Sequence, residues 1–108
     1  MFTKESAIDY AKEYLNECKK SNIQIANAFL FGSYAFEKQW EHSDIDIAII
    51  SNTFGENPIE NWRLIRNANI KFFCIEPHLF TLEDFNNDTP FVDEVKRTGI
   101  SLRSRPVA

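Results

Sequence analysis

Gly32 and Ser33, then ten positions from Tyr34 to Ser43, then Asp44-Ile45-Asp46, form the stretch whose residue types can do chemistry. Side chains on a strand alternate, so Asp44 and Asp46 are expected on one face, roughly 6.5–7 Å apart along the chain. Carboxylates that close repel each other unless something positive lies between them. A hard divalent cation taking oxygen ligands, such as Mg2+, is the natural neutraliser. Gly32 permits a tight turn and close backbone approach. Ser33 opens a helical turn, with a hydroxyl and unpaired N–H groups that suit a phosphate. A phosphate cradle facing a metal-binding carboxylate pair is the equipment of phosphoryl or nucleotidyl transfer. The plainer alternative makes Asp44 a cap at the start of a strand and Gly-Ser an ordinary loop dipeptide. Asp46 resists that reading, because it interrupts an apolar strand where an unpaired carboxylate is costly.

Those residues need elements to hold them. Ala7, Ile8, Ala11, Tyr14, Leu15 and Cys18 recur at three- and four-residue spacings over residues 4–19, which predicts an amphipathic helix. Residues 26–31 read as a strand stopped at Gly32, followed by a short helical stretch from Ser33 to about Lys38 and a polar loop from Gln39 to Ser43. Residues 44–50 read as a second strand, its apolar second half covered on both faces. Asn57-Pro58-Ile59-Glu60 is a helix start, with Asn as cap, Pro first, and Glu placed to reach back. Trp62, Ile65 and Ala68 are its expected buried stripe. Ile70 to Ile75 is apolar enough for a third strand, with Pro77 expected to block its continuation. Thr81 and Thr89-Pro90 open two short helices, the second ending at Gly99, and Ile100 to Arg103 could add an edge strand. Strands alternating with helices predict an α/β (α+β) domain built on a small mixed sheet flanked by helices.

The Gly32-Ser33 to Asp44-Ile45-Asp46 spacing resembles the signature of minimal nucleotidyltransferases of the DNA polymerase beta superfamily. The wider runs Phe31-Gly32-Ser33-Tyr34-Ala35 and Ser43-Asp44-Ile45-Asp46-Ile47-Ala48 are similar to that family, as are Ile75-Glu76-Pro77-His78, Phe85 and Gly99-Ile100. The likeness covers most of residues 26–102. It implies a nucleotidyltransferase-like fold, ATP or another nucleoside triphosphate as donor, and magnesium. Many members are antitoxins paired with a helical HEPN-type toxin, which some modify by adding AMP. By this resemblance Gly32 and Ser33 bind the nucleotide, and Asp44 and Asp46 bind metal and carry catalysis. Two departures stand out. Phe36 and Glu37 occupy positions where members often have a basic residue and Gly, with Lys38 as a possible replacement. The family's third carboxylate falls near Phe72, which cannot bind a metal. Glu76, on the same face but roughly 13 Å further along a strand, is the candidate third metal ligand; it could instead mark the strand end.

Other charged residues read more simply. His78, beside Pro77, and His42, before Ser43, are expected to be structural or solvated. Lys19-Lys20, Arg63 with Arg66, and Arg103 with Arg105 are helix-face or terminal charges, although Arg63 and Arg66 could meet an acidic partner. Composition narrows the rest. The 108 residues are expected to form one domain spanning 1–108, and ten Phe, three Tyr and two Trp argue against disorder. Twelve basic against sixteen acidic residues give a net charge of -4, so no basic excess exists for gripping nucleic acid. No run reaches the roughly 18 apolar residues of a membrane span. The polar N-terminus lacks a signal-peptide core, so free thiols at Cys18 and Cys74 and a cytoplasmic location are expected. The resemblance implies two functions: a magnesium-dependent enzyme moving AMP from ATP to an acceptor such as a partner toxin, or a catalytically weakened antitoxin that acts by binding its HEPN-type partner.

Overall fold

Capping side chains set where the helices begin in the computed structural model, which describes residues 2–34 and 44–102. Thr3 caps α1 (Lys4–Lys20) in a capping box with Ser6, and Asn57 caps α2 (Pro58–Lys71) by accepting from the Ile59 and Glu60 N–H groups. Glu60 does not reach back to that cap; its carboxylate pairs with Arg63 at 3.0 Å. Thr81 and Thr89 cap α3 (Leu82–Asn86) and α4 (Pro90–Thr98) in the same manner. Between them run β1 (Ile25–Phe31), β2 (Ile45–Ser51), β3 (Ile75–Phe80) and the two-residue β4 (Ile100–Ser101). A single 3-10 turn, Gly32–Tyr34, leaves β1. The expected polar loop, together with Phe36, Glu37, Lys38, His42, Arg103 and Arg105, lies outside the described residues.

The sheet has the order β3-β2-β1-β4, with β1 antiparallel to both β2 and β4, and β2 parallel to β3. It is mixed, and helices cover both faces, as the alternation of elements predicts. Ala28, Leu30, Ile45, Ile47 and Ile49 pack against Ala7, Ala11, Tyr14, Leu15 and Cys18 of α1 and Ile65 and Ala68 of α2. On the opposite face Ala48 and Ile50 meet Phe29, Phe85, and Val92 and Val95 of α4. Apolar contact on both sides is why the second half of β2 carries no alternation. The helices α1 and α2 are further joined by the Tyr14 hydroxyl donating to Asn69 and by Lys71 paired with Glu17 at 2.7 Å. Both cysteines are free, and burial pushes the Cys18 thiol up to about 11.

The third strand lies elsewhere than expected. Residues 70 and 71 continue α2, Phe72 caps it, and the strand begins at Ile75 and runs through Pro77 to Phe80. The apolar run from Ile70 misleads because it is split: Phe72 packs inward, whereas Ile70 and Phe73 are 68% and 80% exposed. Pro77 is tolerated because β3 is an edge strand among the described residues, where a missing donor on the outer side removes no ladder bond. Trp62 also departs from the expected stripe. Ile65 and Ala68 are buried, but Trp62 is half exposed and lines a groove with Pro77, Leu79 and Leu82. These burials predict that Ile49→Ala lowers unfolding free energy by about 2–5 kcal/mol. Trp62→Ala should cost about 1 kcal/mol or less, both read from urea denaturation midpoints.

Candidate active site

Strand pairing places Asp46 in the middle of a row. Its partner across the antiparallel pair is Phe31, and its partner across the parallel pair is Glu76. Directly paired residues project from the same face of a sheet, so the two carboxylates stand side by side. His78 follows two residues on and shares that face by alternation. Its Nε2 lies 3.4 Å from Asp46 Oδ1. One ligand atom from each of Asp46, Glu76 and His78 lies within 4.8 Å of the other two.

Gly32 closes the row from above. Its φ of +75° is left-handed, and a Cβ built there would lie 2.5 Å from Asp46 Oδ2. Only glycine lets the turn backbone approach the carboxylate this closely. Ser33 occupies the next position of the same 3-10 turn. Asp44 sits exposed one residue ahead of β2, outside the close group, yet its charge is felt at Glu76. Phe31 meets the His78 ring edge-on at 5.0 Å, and Phe91 flanks both at 5.5 and 5.7 Å.

The electrostatics of the row follow from crowding. The Glu76 carboxyl is held above the ordinary glutamate range, first by its hydrogen bond with Asp46, then by the Asp46 charge and partial burial, with His78 opposing. Without a cation, then, the pair favours holding a proton between its oxygens. A divalent ion satisfies the same need with two positive charges, and carboxylate oxygens are suited to one. The donor set therefore fits such an ion.

The structure thus brings Asp46, Glu76 and Gly32 together, with Asp44 at the rim. Phe72 is not at the third acidic position. It caps α2 on the other face of the sheet, edge-on to Tyr10 and Tyr14 at 5.2 and 6.0 Å. Moving the strand start to Ile75 puts Glu76 in register with Asp46 instead of about four residues beyond it. His78, which the sequence suggests is structural or solvated, is brought beside Asp46. The signal was present, since Glu76-Pro77-His78 repeats the acid-x-ligand spacing of Asp44-Ile45-Asp46, but it is visible only once the strand is placed.

A mixed sheet flanked by helices, with adjacent acidic residues beside a Gly-Ser turn, is the architecture of nucleotidyltransferases. The sequence model of the Polymerase beta, Nucleotidyltransferase family matches residues 13–106, and the chain belongs to that family. A Methanocaldococcus jannaschii protein that bears the name protein adenylyltransferase is 27% identical over 85 residues, covering 68% of this chain and 58% of that relative. The chain therefore spans less than two thirds of that relative's length. Among solved structures, a toxin–antitoxin crystallised with AMP-PNP superposes with a TM-score of 0.62 at 24% identity, covering 87% of this chain and 73% of that one. A Sulfolobus solfataricus protein described as a nucleotidyltransferase gives 0.58 at 19% identity, with 74% and 71% covered. A toxin–antitoxin MntA–HpeT mutant, carrying two aspartate-to-glutamate changes two residues apart, gives 0.58 at 22% identity, covering 87% and 73%. These likenesses establish the fold.

Two outcomes test the geometry. Gly32→Ala should displace Asp46 and weaken divalent-cation binding in calorimetric titration while the far-UV circular dichroism stays unchanged. The raised Glu76 pKa also has a sign. Its contribution to stability is present below the unfolded glutamate pKa of about 4.3 and is lost as pH rises through the folded value. In chelator, Glu76→Gln should therefore gain stability over the parent as pH climbs through that window, measured by urea midpoints at successive pH.

Proposed function

We propose that this chain is a magnesium-dependent nucleotidyltransferase that moves AMP from ATP to a hydroxyl on a partner protein. In this reading the acceptor oxygen bonds to the α-phosphorus, the bond from that phosphorus to its bridging oxygen breaks, and pyrophosphate leaves. Gly32 and Ser33, in the turn against Asp46, hold the triphosphate through backbone N–H groups. Asp44, Asp46 and Glu76 hold the cation, and Asp44 and Asp46 carry the catalytic role. When bound, Mg2+ supplies charge neutralisation and alignment for in-line displacement. A carboxylate at the rim can take the acceptor's proton, which must leave as the new bond forms. The observation that carries the reading is the pairing of Asp46 with Glu76 under Gly32.

A protein acceptor is supported by the adenylyltransferase name of the relative and by the toxin–antitoxin neighbours. We take the partner to be a helical HEPN-type toxin met in the cytoplasm, and residues 1–108 to act as one domain. The toxin–antitoxin neighbours also keep in view a binder that neutralises its partner by contact alone. The Phe36 and Phe72 departures motivate this alternative, and the register of Glu76 with Asp46 weighs against the second of them. Incubation with α-labelled ATP, Mg2+ and the partner separates the two. Asp46→Asn should reduce label transfer by at least about 100-fold while partner binding persists. Neutralisation by wild type with no label on the partner would establish the binder.

A further inference from the structure

His78 contributes something an all-oxygen site lacks. The distance from its Nε2 to Asp46 Oδ1, 3.4 Å, is long for a hydrogen bond between such groups, which prefer about 2.7–3.2 Å. The contact is thus a long one, and its span also suits two ligands on one ion: bonds of about 2.1 Å span about 3.0 Å at a right angle and about 3.4 Å at the tetrahedral angle. The imidazole is also aimed. Phe31 stands edge-on to it at 5.0 Å and Phe91 flanks it at 5.7 Å, so ring orientation is set by packing. Its side chain is 31% exposed and that of Asp46 23%, so both are partly shielded yet open to an ion.

We propose that His78 is a nitrogen ligand completing an Asp46–Glu76–His78 metal site, so that the site binds a first-row transition ion such as Mn2+ more tightly than the Mg2+ that serves the transfer. The inference rests on the reading that Asp46 and Glu76 hold the cation. Mg2+ keeps oxygen ligands and surrenders its waters reluctantly. First-row transition ions accept imidazole nitrogen where Mg2+ holds to oxygen, and Mn2+, though lowest in that series, also takes the carboxylates of this site. Replacing one oxygen donor by a neutral nitrogen therefore shifts preference without adding charge. Relative affinity for the two ions is then set on β3, by its alternation of Glu76 and His78.

The test uses the full chain, stripped by chelator and titrated with Mn2+ alone and with Mg2+ in competition. Wild type should prefer Mn2+ by at least about tenfold, and pulsed electron paramagnetic resonance of the bound Mn2+ should show nitrogen-14 coupling. His78→Phe keeps a ring between Phe31 and Phe91 but removes the donor; it should abolish the coupling and reduce the preference below about threefold. Retention of the preference in His78→Phe, or bound Mn2+ without nitrogen coupling in wild type, overturns the proposal. Asp46→Asn and Glu76→Gln separate the two levels. If they lose Mn2+ while wild type shows no coupling, only the His78 role falls; if they bind Mn2+ as wild type does, the carboxylate reading itself falls.

Discussion

Repulsion between two carboxylates held side by side is the constraint around which this molecule is arranged. Parallel pairing of β2 and β3 fixes Asp46 opposite Glu76, and backbone ladders do not yield to side-chain charge. Relief must come from something bound between the oxygens. The raised Glu76 pKa records that need in proton terms. Gly32, having no Cβ, leaves the space beside the turn that the Asp46 carboxylate occupies.

The sheet makes such crowding tolerable because β2 is anchored on both faces. Ile45, Ile47 and Ile49 are fully buried toward α1 and α2, and Ala48 and Ile50 toward α4. Asp46 is thus the polar member of a strand that apolar contacts hold from either side. The aromatic wall of Phe31, Phe91 and Phe80 continues the α4-side core up to the acidic row. A site built on strands in this way is held more firmly than one on loops.

Much of this was legible in the residues. Asn57, Thr81 and Thr89 announce helix starts through a local mechanism, the side-chain oxygen taking an orphan N–H, and each is found capping, as is Thr3. The Gly-Ser to Asp-Ile-Asp spacing was equally readable, because alternation and turn chemistry act within a few residues. Features that long-range placement decides are not legible in the same way. Pro77 breaks a central strand but not an edge strand, and edge status depends on the whole topology. The distance from Asp46 to Glu76 is a matter of register between segments 30 positions apart, which local pattern does not encode. Size and spacing favour burial of Trp62, yet it is half exposed while Ile65 and Ala68 are buried.

Pro77 has a further effect on the outer rim of β3. Exposed strand edges invite another chain to zip on, the first event in fibril seeding and in swapped assemblies. A ring nitrogen with no hydrogen interrupts the row of donors that such a visitor would need. The interruption falls between Glu76 and His78, so the residues crowding Asp46 are screened from stray strand addition by the chain's own covalent chemistry.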